Sequence, residues 1–140
     1  MTDPFDLRRF VDAQAPVYQR VLAELRQGQK QSHWMWFIFP QLAGLGHSPI
    51  ARRFAIASRE EAVAYLEHDL LGRRLREWTA LVNAVEGRTI REILGSPDDL
   101  KFCSSMTLFG AVSSDPEFAD SIQKFYSGTP DRRTLELLAR

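Results

Sequence analysis

Apolar positions along this chain recur at intervals of three and four rather than two. Leu7, Phe10 and Val11 follow Asp3-Pro4, while Tyr18, Val21, Leu22 and Leu25 follow Pro16 and run out at Gly28. That spacing gathers apolar side chains on one helical face, and proline before with glycine after marks the limits. Ser48-Pro49 reads as a cap followed by a first-turn proline. Ser58 with Glu61 has the spacing of a capping box ahead of Ala62, Tyr65 and Leu66. A long stripe follows at Leu71, Leu75, Trp78, Leu81 and Val85, and Thr89 with Glu92 forms a second capping box closed by Gly95. Ser96-Pro97-Asp98-Asp99 opens the next helix with a cap, a first-turn proline and acids at the positive end of the dipole. Asp115-Pro116-Glu117 opens another, carrying Phe118, Ile122 and Phe125 before Gly128, and a last one starts near Asp131 with Leu135 and Leu138. No stretch alternates convincingly between apolar and polar, and no Asn-Gly or Asp-Gly hairpin signal is present. The predicted fold is all-α: one domain over residues 1–140, of seven or eight helices with short connections. Residues 52–57, RRFAIA, read least clearly and fit an extended segment as well.

One stretch stands apart from this periodicity. In SHWMWFIFPQL, residues 32–42, six large apolar residues follow His33 without interruption. Every position is apolar, so periodicity cannot say which side faces in. Pro40 disfavours helical angles at Phe39, and Ser32 suits a cap, so a short buried helix breaking at Phe39 is expected. Each large side chain buried contributes about 1.5–3 kcal/mol before entropy, which makes this segment the expected hub of the core.

The helix expected from Pro97 to about Val112 is also apolar all round, with Leu100, Phe102, Cys103, Met106, Leu108 and Phe109 spread over every face. Such a helix is buried. Its hydroxyls, Ser104, Ser105 and Thr107, must then bond the carbonyl one turn back or line a polar spot in an apolar cleft.

Composition narrows the function classes. The 140 residues are 44% apolar and 26% charged with zero net charge. No broad field favours nucleic acid or an anionic membrane, and no apolar run approaches a membrane span. Cys103 is the single cysteine, so no internal disulfide forms, and MTDPFDLRRF lacks the order of a signal peptide. A cytoplasmic protein is expected. Only Lys30, Lys101 and Lys124 are lysines, so fifteen of the eighteen basic residues are arginine, including the pairs Arg8-Arg9, Arg52-Arg53, Arg73-Arg74 and Arg132-Arg133. Guanidinium groups suit carboxylates and phosphates, but neighbours on a helix point apart, so a mere preference for Arg explains the pairs as well.

Candidate chemistry collects around the aromatic run. His33 lies between Gln29-Lys30-Gln31-Ser32 and the rings, with an unperturbed pKa suited to acid–base work. A histidine bonded to a backbone carbonyl is the plainer reading. Lys101 and Ser105 share a face, which permits Ser-Lys catalysis in principle, whereas an ion pair of Lys101 with Asp98 needs no chemistry at all. Three scattered histidines and one cysteine match no metal spacing, and no cofactor is implied. Gly44-Leu45-Gly46-His47-Ser48-Pro49 leads into a helix start with Arg52 and Arg53 close behind, which fits either an anion cradle or a tight connection.

The run GQKQSHWMWFIFPQLAGLGHS (residues 28–48), LGRRL (71–75), SSMTLF (104–109) and the pattern Gly128-x-x-Asp131-x-x-Thr134-Leu135 together resemble the bacterial family catalogued as domain of unknown function 1810. The resemblance spans nearly the whole chain. It implies a multihelical domain and no assigned activity.

Two functional readings follow from the residues. In the first, Trp34, Trp36 and Phe39 wall a small-molecule pocket on which Lys30, Ser32, His33, Gln41, Lys101, Ser104, Ser105 and Thr107 converge. Its ligand would be of nucleotide or ADP-ribose type, with His33 and Lys101 as the catalytic candidates if the protein is an enzyme. In the second, exposed aromatics dock a protein partner without chemistry. The sequence leaves the oligomeric state open.

Overall fold

The computed structural model describes residues 2–140. Its helices are α1 (Arg8–Gln14), α2 (Tyr18–Arg26), α3 (Met35–Ile38), α4 (Pro49–Arg53), α5 (Arg59–Glu67), α6 (Asp69–Asn83), α7 (Ile90–Leu94), α8 (Asp98–Val112), α9 (Pro116–Tyr126) and α10 (Arg132–Leu138), with a 3₁₀ turn at Ala15–Val17. The fold is all-helical as predicted, with more segments than the seven or eight expected. The surplus is short: α3 has four residues, and α4 and α7 have five each. Among the described residues the one extended pairing is an isolated parallel bridge, Leu42 with Ile56. Residues 52–57 therefore divide: α4 runs to Arg53, and the chain is extended at Ile56, whose N–H donates to Gln41 and whose carbonyl accepts from Ala43.

Helix α8 is the axis of the structure, packed by α5, α7, α9 and α10. Phe102, Met106, Leu108 and Phe109 are fully buried, as expected of an apolar helix, but Leu100 in its first turn is exposed, so the burial is not all round. The aromatic run meets α8 edge-on: Phe39 stands 4.9 Å from the Phe102 ring centroid in a T-shaped pair, and Trp34 lies 6.2 Å from Phe39. Trp34, Met35, Ile38 and Phe39 point into the core, while Trp36 and Phe37 are half-buried. Helix α3 does break at Phe39, which leaves helical angles before Pro40.

Several helix starts follow the sequence pattern and several do not. Ser48 caps α4, Asp131 caps α10, and Thr89 with Glu92 forms the complete capping box of α7. Ser58 caps α5, but its box is half made, because Glu61 turns to Ala57 N–H and to Arg9 instead. Ser96 caps nothing: α8 begins one residue later than expected, and Gly95 and Pro97 carbonyls take its first N–H groups. Ser32 does not cap α3, since a buried carboxylate holds it elsewhere. Asp115 precedes α9 but gives its carboxylate to Arg76 at 2.6 Å. The LGRRL motif has a steric meaning at Gly72, where any Cβ would drive into the Leu66 carbonyl across the α5–α6 corner.

Candidate functional site

Polar groups sealed inside an apolar core are costly without partners, and two centres here are well supplied with them. The first is Glu24 on the inner face of α2. Its Oε1 accepts from Gln31 N–H (2.8 Å), Ser32 N–H (3.1 Å) and the Trp34 indole N–H (3.0 Å), and its Oε2 accepts from the Ser32 hydroxyl. Burial pushes this carboxyl up, but the donors outweigh burial and hold it below its ordinary value. The Gln31–Trp34 turn is thereby folded over α2, which fixes where the aromatic run begins. The second centre is Gln14, fully buried, which donates to Phe37 O (2.7 Å) and Tyr65 Oη (3.0 Å) and accepts from Arg74 (3.2 Å). It ties the end of the aromatic run to α1 and α5.

Between these centres and the head of α8, two lysines share one carboxylate. Lys30 Nζ lies 3.0 Å from Asp98, and Lys101 Nζ lies 3.9 Å from the other oxygen. Each ammonium also sits over an indole ring, Lys30 at 5.1 Å from the Trp34 centroid and Lys101 at 5.3 Å from that of Trp36. Lys30 is the tightly paired member. Lys101, 3.9 Å from Asp98 and part-exposed, makes no hydrogen bond among the described residues, so it can also serve an outside acceptor.

Lys101 also lines a cavity of about 380 Å³. One wall is the turn of residues 41–46, represented by Gln41 and Gly46; the floor is the α8 face bearing Lys101, Cys103 and Ser104; the far wall is Tyr126 and the segment at Asp131. The far wall is built by the chain's return from α9. Ser127 and Gly128 both have positive φ, which turns the backbone sharply at the helix end. The returning segment is then pinned along α8: Tyr126 Oη donates to Asp99 O (2.5 Å), and Asp131 N–H donates to Thr107 Oγ1 (2.8 Å). The Asp131 carboxylate takes Thr134 N–H and Oγ1–H on a single oxygen, Oδ2, leaving Oδ1 without a partner among the described residues.

The residues expected at a site are distributed as follows. Gln41, Lys101 and Ser104 line the cavity together. Trp36 lines a smaller adjoining hollow that shares Gln41 and Gly46. Lys30 is paired to Asp98 and does not line the cavity. Trp34 and Phe39 are fully buried, and Ser32 is engaged by Glu24. Ser104 Oγ donates to Leu100 O (3.2 Å), one turn back, and Ser105 Oγ is buried without a partner. Thr107 accepts from Asp131 N–H on the returning segment and lines a different hollow, with Met106, Gly110 and Phe118. His33 is exposed and lines none of the cavities described here. The Cys103 thiol is pushed up to about 11, first by burial and then by the nearby Asp131 charge, so it is no ready nucleophile. The arginine pairs diverge as helical neighbours must: Arg8 faces water beside Asp12 while Arg9 turns inward to Glu61.

Nothing in the sequence singles out Glu24 or Tyr126, and Asp131 reads there most simply as the cap of the last helix. Glu24 gave no signal, because a lone glutamate on an amphipathic helix reads as solvent-facing. Asp131 lay within the Gly128-x-x-Asp131 pattern, where its second oxygen was the available clue.

A family model described as "Protein of unknown function (DUF1810)" matches residues 4–138. The chain belongs to this family. The DUF1810 chain is also similar to a solved structure, the conserved hypothetical protein Rv1873 from Mycobacterium tuberculosis, at 62% identity over 99% of each chain with a TM-score of 0.97. No curated protein matches it. Among the described residues of this DUF1810 chain no helix is long and apolar enough to cross a membrane.

Proposed function

We propose that this chain binds a small phosphate-bearing molecule of nucleotide or ADP-ribose type in the cavity beside α8. The observation that carries the reading is Lys101: an ammonium over the Trp36 ring, without a hydrogen bond among the described residues, at a cavity large enough for such a ligand. A part-exposed lysine held beside an aromatic face offers an anion its charge at the cavity's edge. The reading is of binding rather than catalysis. The Cys103 thiol is held protonated, Ser104 is bonded to its own helix, and His33 is outside the cavity. A cytoplasmic setting goes with this, supported by a single unpaired cysteine.

The test is a thermal-shift series on the full chain with ADP-ribose, AMP, ADP, ribose 5-phosphate and inorganic phosphate. Ligand bound to the folded state raises Tm by mass action. At least one organic phosphate should raise Tm for the native protein, and Lys101→Ala should lose the shift while keeping its own unliganded Tm within a few degrees. Absence of any shift, or a shift of equal size in Lys101→Ala, would overturn the assignment.

A further inference from the structure

Lys101 accounts for only one end of the cavity. At the other stands the Asp131 carboxylate, beside Arg132, whose exposed guanidinium turns out to Glu136, so the carboxylate favours a ligand that also carries donors. Three observations fix what this carboxylate offers. Asp131 Oδ2 is committed twice, to the N–H (3.0 Å) and the hydroxyl (2.5 Å) of Thr134. The segment carrying it is held against α8 by the bond from Asp131 N–H to Thr107. Asp131 Oδ1 takes no hydrogen bond among the described residues, yet the residue lines the cavity. The result is an oriented, charged acceptor whose one uncommitted oxygen is available to a ligand. The raised Cys103 thiol agrees with this placement, since after burial its second cause is the Asp131 charge.

The spacing sets the kind of molecule. Thr107, which pins Asp131, is six residues beyond Lys101 on α8, or about 9 Å of helix rise. Between a cation and a carboxylate so disposed, a fitting ligand has its phosphate at one end and hydroxyl donors at the other. A sugar phosphate or nucleoside phosphate has that layout, whereas inorganic phosphate lacks the donors.

Resting on the reading of the cavity as a ligand site, we infer that Asp131 is its specificity-determining residue, selecting ribose over deoxyribose by accepting a hydroxyl hydrogen on Oδ1. Loss of a hydrogen bond to a charged acceptor is worth about a factor of ten or more in affinity.

The experiment is titration of the full chain with two matched pairs: AMP against 2′-deoxy-AMP, and ribose 5-phosphate against 2-deoxyribose 5-phosphate. The native protein should favour the ribose member of at least one pair about tenfold. Asp131→Ser keeps the cap for Thr134 with no second oxygen to accept the hydroxyl hydrogen. It should fold with Tm close to native, retain binding to the phosphate that depends on Lys101, and bind the two members of each pair alike. Equal affinity for both members in the native protein, or a preference that survives in Asp131→Ser, would overturn the role of Asp131 while leaving the Lys101 site standing. If no probe binds the native protein, the site itself falls and the selectivity with it.

Discussion

The Trp34 indole N–H donates to Glu24 Oε1 at 3.0 Å, and the same oxygen accepts the backbone N–H groups of Gln31 and Ser32. Three donors thus depend on one atom, while Oε2 serves only the Ser32 hydroxyl. Replacing the two oxygens has unequal consequences. Glu24→Gln keeps Oε1 and sets an amide beside a hydroxyl that can rotate to accept, so it should cost no more than about 1 kcal/mol. Glu24→Ala strands the buried indole N–H, two part-buried backbone N–H groups and the Ser32 hydroxyl, and should cost about 3 kcal/mol, lowering Tm by roughly 8–12 °C. Chemical and thermal denaturation of the two variants checks the ratio; equal losses would mean the indole does not rely on this oxygen.

The same carboxylate predicts a pH dependence. Burial raises Glu24, but donation from Ser32, Gln31 and Trp34 leaves its folded pKa below the ordinary 4.5. In that window the unfolded chain binds a proton that the folded chain does not. Stability linked to Glu24 is therefore full at neutral pH, declines as pH falls through the ordinary value, and is gone below the folded one. Denaturant midpoints between about pH 7 and 3 should fall less steeply for Glu24→Gln than for the native protein. Part of the slope should persist, because Arg76 holds the Asp115 carboxyl down in the same way.

Two helical glycines should respond in opposite directions to alanine. At Gly72 the added methyl drives into the Leu66 carbonyl at the α5–α6 corner, so Gly72→Ala should cost about 2–3 kcal/mol. At Gly110, inside α8, the nearest atom is Phe118 Cβ at 3.5 Å, an ordinary contact at the edge of an apolar hollow of about 390 Å³. Gly110→Ala should gain about 0.5–1 kcal/mol through helix propensity. Calorimetric Tm values decide both.

Neighbouring serines on α8 separate in the same manner. Ser104 Oγ has the Leu100 carbonyl, whereas Ser105 Oγ is buried with none. Ser105→Ala removes a desolvated hydroxyl and should raise stability by about 1 kcal/mol, while Ser104→Ala should stay within about 0.5 kcal/mol of native.

The Cys103 thiol, pushed from 9.0 to about 11, carries about a hundredfold less thiolate than an ordinary cysteine near neutrality. Disulfide-reagent labelling of the folded protein should be slower by at least that factor than in denaturant, and should accelerate with rising pH. Labelling at the denatured rate would place the thiol in water.

Helix-forming content was legible wherever local chemistry decides the outcome. Thr89 with Glu92, Ser48 before Pro49 and the unbroken apolar surface of α8 all act within one or two turns. Where a distant group competes, local signals lose. Glu61 has the spacing to close a box on Ser58 but meets Arg9, and Ser32 has the chemistry to cap α3 but meets Glu24. The uniform aromatic run could not reveal that Trp34 is sealed while Trp36 is half-buried, because only the packing of α8 and α2 makes the distinction. The candidate site was legible in part: Lys101, Gln41 and Ser104 do share a cavity, but Asp131 joins them through a turn far along the chain.

Arg9 shows what the chain's scarcity of lysine means at one position. Its five guanidinium hydrogens reach Arg53, Phe5, Asp6 and Ala55 carbonyls and the Glu61 carboxylate, so one plane buttons the first helix, the turn after α4 and the start of α5 together. An ammonium has three hydrogens on a single atom and cannot span that fan. Exchange of one positive charge for another at this point would leave carbonyls facing each other across an unlatched seam.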